Sequence, residues 1–174
     1  MPKLRHYDDL GTVRFVTFSC YRRQRLLTEQ TACEAILTEL LRLRRDRGIN
    51  ILGYVIMPEH VHLVILPPDD LKLGPAIGVF KTRSAHMILN WARSDQRKRD
   101  RIVRRETGAA AVWQRRCYDH NCRTTEIVIE KVKYCHDNPV KRGLVSRPED
   151  WPWSSCRWYQ GLREGVLEID GIEM

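Results

Sequence analysis

No run of this sequence approaches the roughly 20 consecutive apolar residues that a membrane-spanning helix needs. The first apolar stretch, around Phe15 to Phe18, is short and broken by Thr17. The leading residues Met1 to Asp9 are polar, so no secretory signal is expected and a cytoplasmic protein is. None of the six cysteines (Cys20, Cys33, Cys117, Cys122, Cys135 and Cys156) stands in a Cys-x-x-Cys pair, which argues against a zinc ribbon and a disulfide framework. They are expected to be reduced packing residues. No internal repeat occurs at the periods of solenoids. Acidic residues fall short of basic ones, 22 against 30, leaving a formal charge of +8 and a pI near 9.4. A compact basic domain gains free energy by exchanging counter-ions for phosphates, so an acidic polymer is the natural partner. Charge alone also allows a basic surface that serves solubility.

What is present is enough for one domain, since 174 residues can bury a real core. Residues 1–174 are read as a single unit, with 146–174 as a C-terminal extension packed on it. Thr12 to Tyr21 carries a β-type run that the cluster Arg22-Arg23-Gln24-Arg25 ends. Between Glu29 and Gly48 the spacing of Ala32, Ile36, Leu40 and Leu43 predicts a helix stopped by glycine. Ile51 to Met57 and His60 to Leu66, parted by Pro58-Glu59, read as a hairpin of two buried strands. A second helix is expected from about Gly74-Pro75 to Trp91, and Ser94 to Arg105, nearly all polar, as a mobile loop or extended basic arm. Val112 to Cys122 reads as a fourth strand, and a third helix is expected from Thr124-Thr125-Glu126 to an end by Pro139. The order strand, helix, strand, strand, helix, strand is the ferredoxin-like split βαβ arrangement. It is an α+β fold with an antiparallel sheet, helices on one face, and an additional C-terminal helix and tail beside it.

Two places carry chemistry. On a strand, His60 and His62 point to one face while Val61, Leu63 and Ile65 point to the other. Their Cα atoms are then about 6.5–7 Å apart, so the imidazoles can converge on one divalent ion; two polar-face histidines without a metal are the alternative. On the third helix, Val128, Val132 and Cys135 share a buried stripe, with Tyr134 and Asn138 on its flank. Asn138 follows Tyr134 by one turn, where its amide oxygen is a candidate third ligand, although its place before Pro139 also suits a helix end. Tyr134 is a candidate covalent nucleophile or an aromatic covering the sheet edge.

These motifs, MPEHVHLVI, VWQRRCYDH (112–120), YCHDNPVKRGLV (134–145) and DWPWSS (150–155), occur in an order that resembles the REP-associated tyrosine transposases, a branch of the HUH single-tyrosine transposases. The resemblance spans nearly the whole chain and implies one IS200-like catalytic domain. It implies that His60, His62 and Asn138 bind a divalent cation, Mg2+ or Mn2+, and that Tyr134 is the nucleophile. It further implies cleavage of single-stranded or hairpin REP-type DNA through a 5′-phosphotyrosine link that stores the bond for rejoining, in a nucleoid-associated bacterial protein. Monomer and homodimer both remain open. His136, turned away from Tyr134 on the helix, is read as non-catalytic.

Candidate DNA contacts by residue type are Lys81, Arg83, Arg115, Arg116, Lys141, Arg142 and the arm Arg97 to Arg105, with Trp113 and Tyr118 as stacking candidates. Trp151, Trp153 and Trp158 read as packing residues. Two other functions compete. A non-catalytic nucleic-acid-binding module of RNA-recognition-like fold shares this architecture, but has no use for a His-x-His facing a tyrosine helix. A metal-dependent hydrolase would use water in place of the tyrosine.

Overall fold

Alternation along the strands builds two cores on one sheet. The computed structural model describes residues 12–102, 105–162 and 167–171. The polar N-terminal stretch and Val103-Arg104 of the basic arm lie outside the described residues. The strands are β1 (Val13–Ser19), β2 (Asn50–Met57), β3 (His60–Leu66) and β4 (Tyr118–Cys122), all antiparallel, in the order β2-β3-β1-β4. Helices α1 (Gln30–Arg47) and α2 (Leu73–Arg93) cover one face. There Val16, Phe18, Val61, Leu63 and Ile65 pack against Ile36, Leu40, Ile77 and Phe80.

The strand order and connectivity are those of the ferredoxin-like split βαβ fold. The additional helix, α4 (Thr125–Lys141), lies on the opposite face of the sheet and not beside it. Its stripe Val128, Val132 and Cys135 meets Phe15, Val55, Met57 and Val64 there. Gly53 permits this close approach, since a Cβ added there would stand 3.2 Å from a Val132 methyl.

Capping explains the helix ends. Thr124 accepts a hydrogen bond from the Ile127 amide and starts α4. Gly48 ends α1 in the left-handed region (φ 64), with its amide bonded to the Arg44 carbonyl and that of Ile49 to the Leu43 carbonyl. Three expectations are corrected. Helix α4 runs through Pro139 to Lys141. The ring removes one backbone donor in the last turn, and burial of the apolar Cys135 and Pro139 side chains offsets that loss. The fourth strand is five residues long, because Trp113 turns into the α1/α2 core and leaves a single bridge to Cys20. Within the polar stretch after α2, Asp95 caps a short helix α3 (Gln96–Asp100), and Ile102 is buried.

The segment after α4 returns to the edge strand β2. The Ile56 amide donates to the Trp153 carbonyl and the Ser155 amide to the Tyr54 carbonyl, while the Trp151 indole donates to the Ile56 carbonyl. A short helix α5 (Cys156–Tyr159) follows, and the Tyr159 hydroxyl donates to the Leu52 carbonyl. These bonds occupy an edge that would otherwise present unpaired backbone groups. All six cysteines are free thiols, and all except Cys117 are buried. No helix among the described residues is long and apolar enough to cross a membrane.

Candidate functional site

The sheet register puts Val55, His62, Thr17 and Tyr118 in one row across the four strands, with side chains on the α4 face. His60 lies one pleat along from His62. Both imidazoles are buried, and their Nε2 atoms converge to 2.9 Å. Helix α4 crosses above them. Asn138 Nδ2 stands 3.3 Å from His62 Nε2, and one turn earlier the Tyr134 ring sits edge-on to His62 and Phe15, with centroids 5.3 and 5.8 Å away. Tyr134 remains 39% exposed. The four residues singled out as tyrosine and ligands are thus brought together from β3 and one face of α4.

The chemistry of the donors fits a cation. Burial drives both histidines toward the neutral form: it pushes His62 down to about 3, helped by the charges of His60 and Arg23, and lowers His60 against the pull of Glu59. His60 Nδ1 donates to Glu59 Oε1 at 3.1 Å, which fixes the lone pair on its Nε2. Burial alone would raise the Glu59 carboxyl, but hydrogen bonds from Arg142 and Arg23 and the charge of His60 hold it below the ordinary glutamate range.

Thr17 Oγ1 stands 2.7 Å from His62 Nδ1, and a hydroxyl can serve either tautomer. Were a cation held at Nε2, the His62 proton would sit on Nδ1, where the Thr17 hydroxyl would accept it. The 2.9 Å separation of the two Nε2 atoms would let both imidazoles hold one cation. A half-turn of the Asn138 amide presents its oxygen to the same point. No group of three His, Cys, Asp or Glu side chains suited to a metal occurs among the described residues, so a cation held here would draw on two imidazoles and an amide.

The basic candidates separate by face. Lys141 lies 5.7 Å from the centre of the Tyr134 ring, and Arg142, the C-cap of α4, pairs with Glu59 at 2.9 Å. Tyr118 is 48% exposed and stacks parallel to His120 on the histidine side of the sheet. Lys81 and Arg83 belong to α2 on the other side, where Lys81 Nζ donates to the Gln114 and Arg115 carbonyls. Arg115 and Arg116 are exposed in the loop before β4. Trp113 is corrected: it is buried, edge-on to Phe18 with centroids 5.0 Å apart, and its indole donates to Ser84, so it offers no stacking face.

Glu59 and Thr17 were missed from the sequence. Glu59 reads there as a turn residue, and Thr17 as an interruption of an apolar run; the cross-strand register that aligns Thr17 with His62 is set by tertiary pairing. His136 is buried, pushed down to about 4 by burial, and bonded to Ser155 Oγ at 3.0 Å, away from the tyrosine.

Comparison with known proteins gives the family of the chain. The profile of the family described as transposase, IS200-like, matches residues 9–137. The REP-associated tyrosine transposase of Escherichia coli K12 is 28% identical over 167 residues, covering 95% of this chain and 87% of its own. A Haemophilus influenzae relative of the same description is 34% identical over 101 residues, 58% of this chain and 54% of its own. Among solved structures, a REP-associated tyrosine transposase bound to a REP hairpin is 27% identical and superposes with a TM-score of 0.70, covering all of this chain and 93% of that one.

Proposed function

Because the chain belongs to the IS200-like transposase family, we propose that it is a divalent-metal-dependent nickase and strand transferase acting on REP-type hairpin or single-stranded DNA through Tyr134. The observation that carries this reading is the placement of Tyr134 on the helix that also brings Asn138 to the converged histidines. A binding module or a water-using hydrolase has no need of that arrangement. The hairpin bound by the similar solved transposase supports the choice of DNA.

His60, His62 and Asn138 would hold the cation, of the magnesium or manganese class, which when bound supplies Lewis-acid polarisation of a phosphoryl oxygen. Tyr134 Oη attacks the scissile phosphorus and the bond to the 3′-oxygen breaks, leaving a free 3′-hydroxyl and a 5′-phosphotyrosine. The phenolic proton is lost and the departing oxygen takes one up, so no water is consumed and the bond is stored. Attack by a 3′-hydroxyl reverses the step and rejoins or transfers the strand. Exposure of Tyr134 leaves room for an incoming strand, and Lys141 adds positive charge beside its ring.

The test is a denaturation-resistant protein–DNA adduct formed on end-labelled hairpin DNA with Mg2+ or Mn2+. Wild-type protein should form it and Tyr134→Phe should not. Binding without an adduct from wild-type protein, across several hairpins and both metals, would return the protein to the binding-module class. Cleavage that survives in Tyr134→Phe would favour a water nucleophile.

A further inference from the structure

Next to the histidines, a single carboxylate oxygen is shared by three donors. Glu59 Oε1 lies 3.1 Å from His60 Nδ1, 3.1 Å from Arg23 Nη2 and 2.9 Å from Arg142 Nη1. Glu59 is 4% exposed, whereas the side chains of Arg23 and Arg142 are 58% and 46% exposed. One buried negative charge therefore anchors two guanidiniums whose remaining surfaces face solvent at the mouth of the site, leaving one uncompensated positive charge. Each guanidinium has five N–H donors, so its bond to Glu59 leaves donors for a second anion.

The backbone that delivers Arg23 adds an independent observation. Arg22 and Arg23 both sit in the left-handed region, at φ 50 and 52. Side chains with a Cβ are disfavoured there, and two in succession persist only where the surroundings impose them. Here they are imposed from several sides. The Cys20 amide donates to the Glu59 carbonyl, Tyr21 to that of Val112, Arg23 to that of Cys20, and Leu27 to that of Pro58. The strained turn is thereby fastened to the β2–β3 turn that carries Glu59. Arg142 arrives from the opposite direction, at the end of the helix that bears Tyr134.

We propose that Arg23 and Arg142 form a two-guanidinium clamp for the phosphate attacked by Tyr134, with Glu59 as the positioning residue that aims both. This rests on the transferase reading above. The clamp binds two non-bridging oxygens and offsets charge that grows on them as the phosphorus takes on a fifth oxygen. It adds to the site protein-borne positive charge and directed N–H donors, beside whatever charge the cation held by His60, His62 and Asn138 would supply.

The experiment compares adduct formation on two hairpin oligonucleotides, one with an ordinary scissile phosphodiester and one with an uncharged methylphosphonate at that position. Arg23→Asn suits the left-handed backbone and should keep the fold, while Arg142→Ala and Glu59→Gln complete the set; thermal melting confirms folding. On the phosphodiester each arginine variant should lose on the order of 100-fold or more in rate. On the methylphosphonate, which carries no charge to clamp, the loss relative to wild type should shrink to less than about 10-fold, and Glu59→Gln should follow the same pattern. Equal losses on both substrates would mean that the arginines merely hold α4 and the turn in place, and no loss on either would remove them from the reaction; both results overturn the clamp. No adduct from wild-type protein would sink the transferase reading itself, and the clamp with it.

Discussion

Thr17→Val tests the reading of the histidine pair without touching a ligand. Valine matches threonine in shape and suits a strand, but it removes the hydroxyl 2.7 Å from His62 Nδ1. In the metal-free protein that hydroxyl makes an ordinary hydrogen bond worth about 0.5–1.5 kcal/mol; beside a bound cation the Nδ1–H becomes a charge-assisted donor, worth about 1.5–3 kcal/mol. The difference, about 1–1.5 kcal/mol, falls on metal binding and corresponds to about a tenfold rise in the Mn2+ concentration giving half-maximal adduct formation. At saturating Mn2+ the rate should return to near the wild-type value, and Thr17→Ser should titrate like the wild type. Calorimetric titration of Mn2+ into both proteins measures the same shift without DNA. An unchanged midpoint in Thr17→Val would refute the argument that Thr17 receives the His62 proton; a lower plateau with an unchanged midpoint would place Thr17 in some other step.

Trp113→Ala should cost about 3–5 kcal/mol of stability in urea unfolding, because the ring fills the core against Phe18 and its indole meets Ser84; a surface stacking residue would cost far less. Tyr118→Ala should leave stability nearly unchanged and weaken single-stranded DNA binding by about 1–3 kcal/mol in a fluorescence anisotropy titration, since the exposed ring stands on the same sheet face as Tyr134. His136 is held to about 4 by burial, against 6.5 when unfolded, so below pH 6.5 the unfolded chain takes up a proton that the folded one refuses. Stability is therefore full above about pH 6.5 and falls by up to about 3 kcal/mol as pH drops toward 4, with His62 acting in the same direction. His136→Gln should flatten this slope in urea melts taken at pH 4 to 7; an unaltered slope would assign the acid sensitivity elsewhere.

Much of the fold was legible because it depends on local period. The hairpin ends, the α1 stop at Gly48 and the burial of Val128, Val132 and Cys135 follow from alternation, glycine and helical spacing, and the histidine pair with Tyr134 follows from those elements plus family resemblance. What escaped depends on contacts far apart in the chain. A tryptophan near the end of an apolar run says nothing about whether Phe18 waits on the core side. A proline in the last turn normally marks a helix end, and only the packing of α4 against the sheet shows why it continues. Glu59 resembles any polar turn residue until Arg23, 36 positions earlier, and Arg142 fold onto it.

His136 shows how a residue excluded from the chemistry still bears on the site. Its ring bonds to Ser155 Oγ, and that oxygen also accepts from the Tyr54 amide at 3.0 Å. Ser155 thus joins α4 to the edge strand β2 at the point where Gly53 lets the helix settle. The height of α4 above the sheet determines whether Asn138 reaches His62, and Tyr134 sits one turn away on the same rigid element. A packing fault at Ser155 therefore propagates to both Asn138 and Tyr134 without touching either. Ser155→Val, whose side chain cannot bond His136 or the Tyr54 amide, should lower both stability and the adduct rate at saturating Mn2+, whereas a fault confined to the tail would lower stability alone.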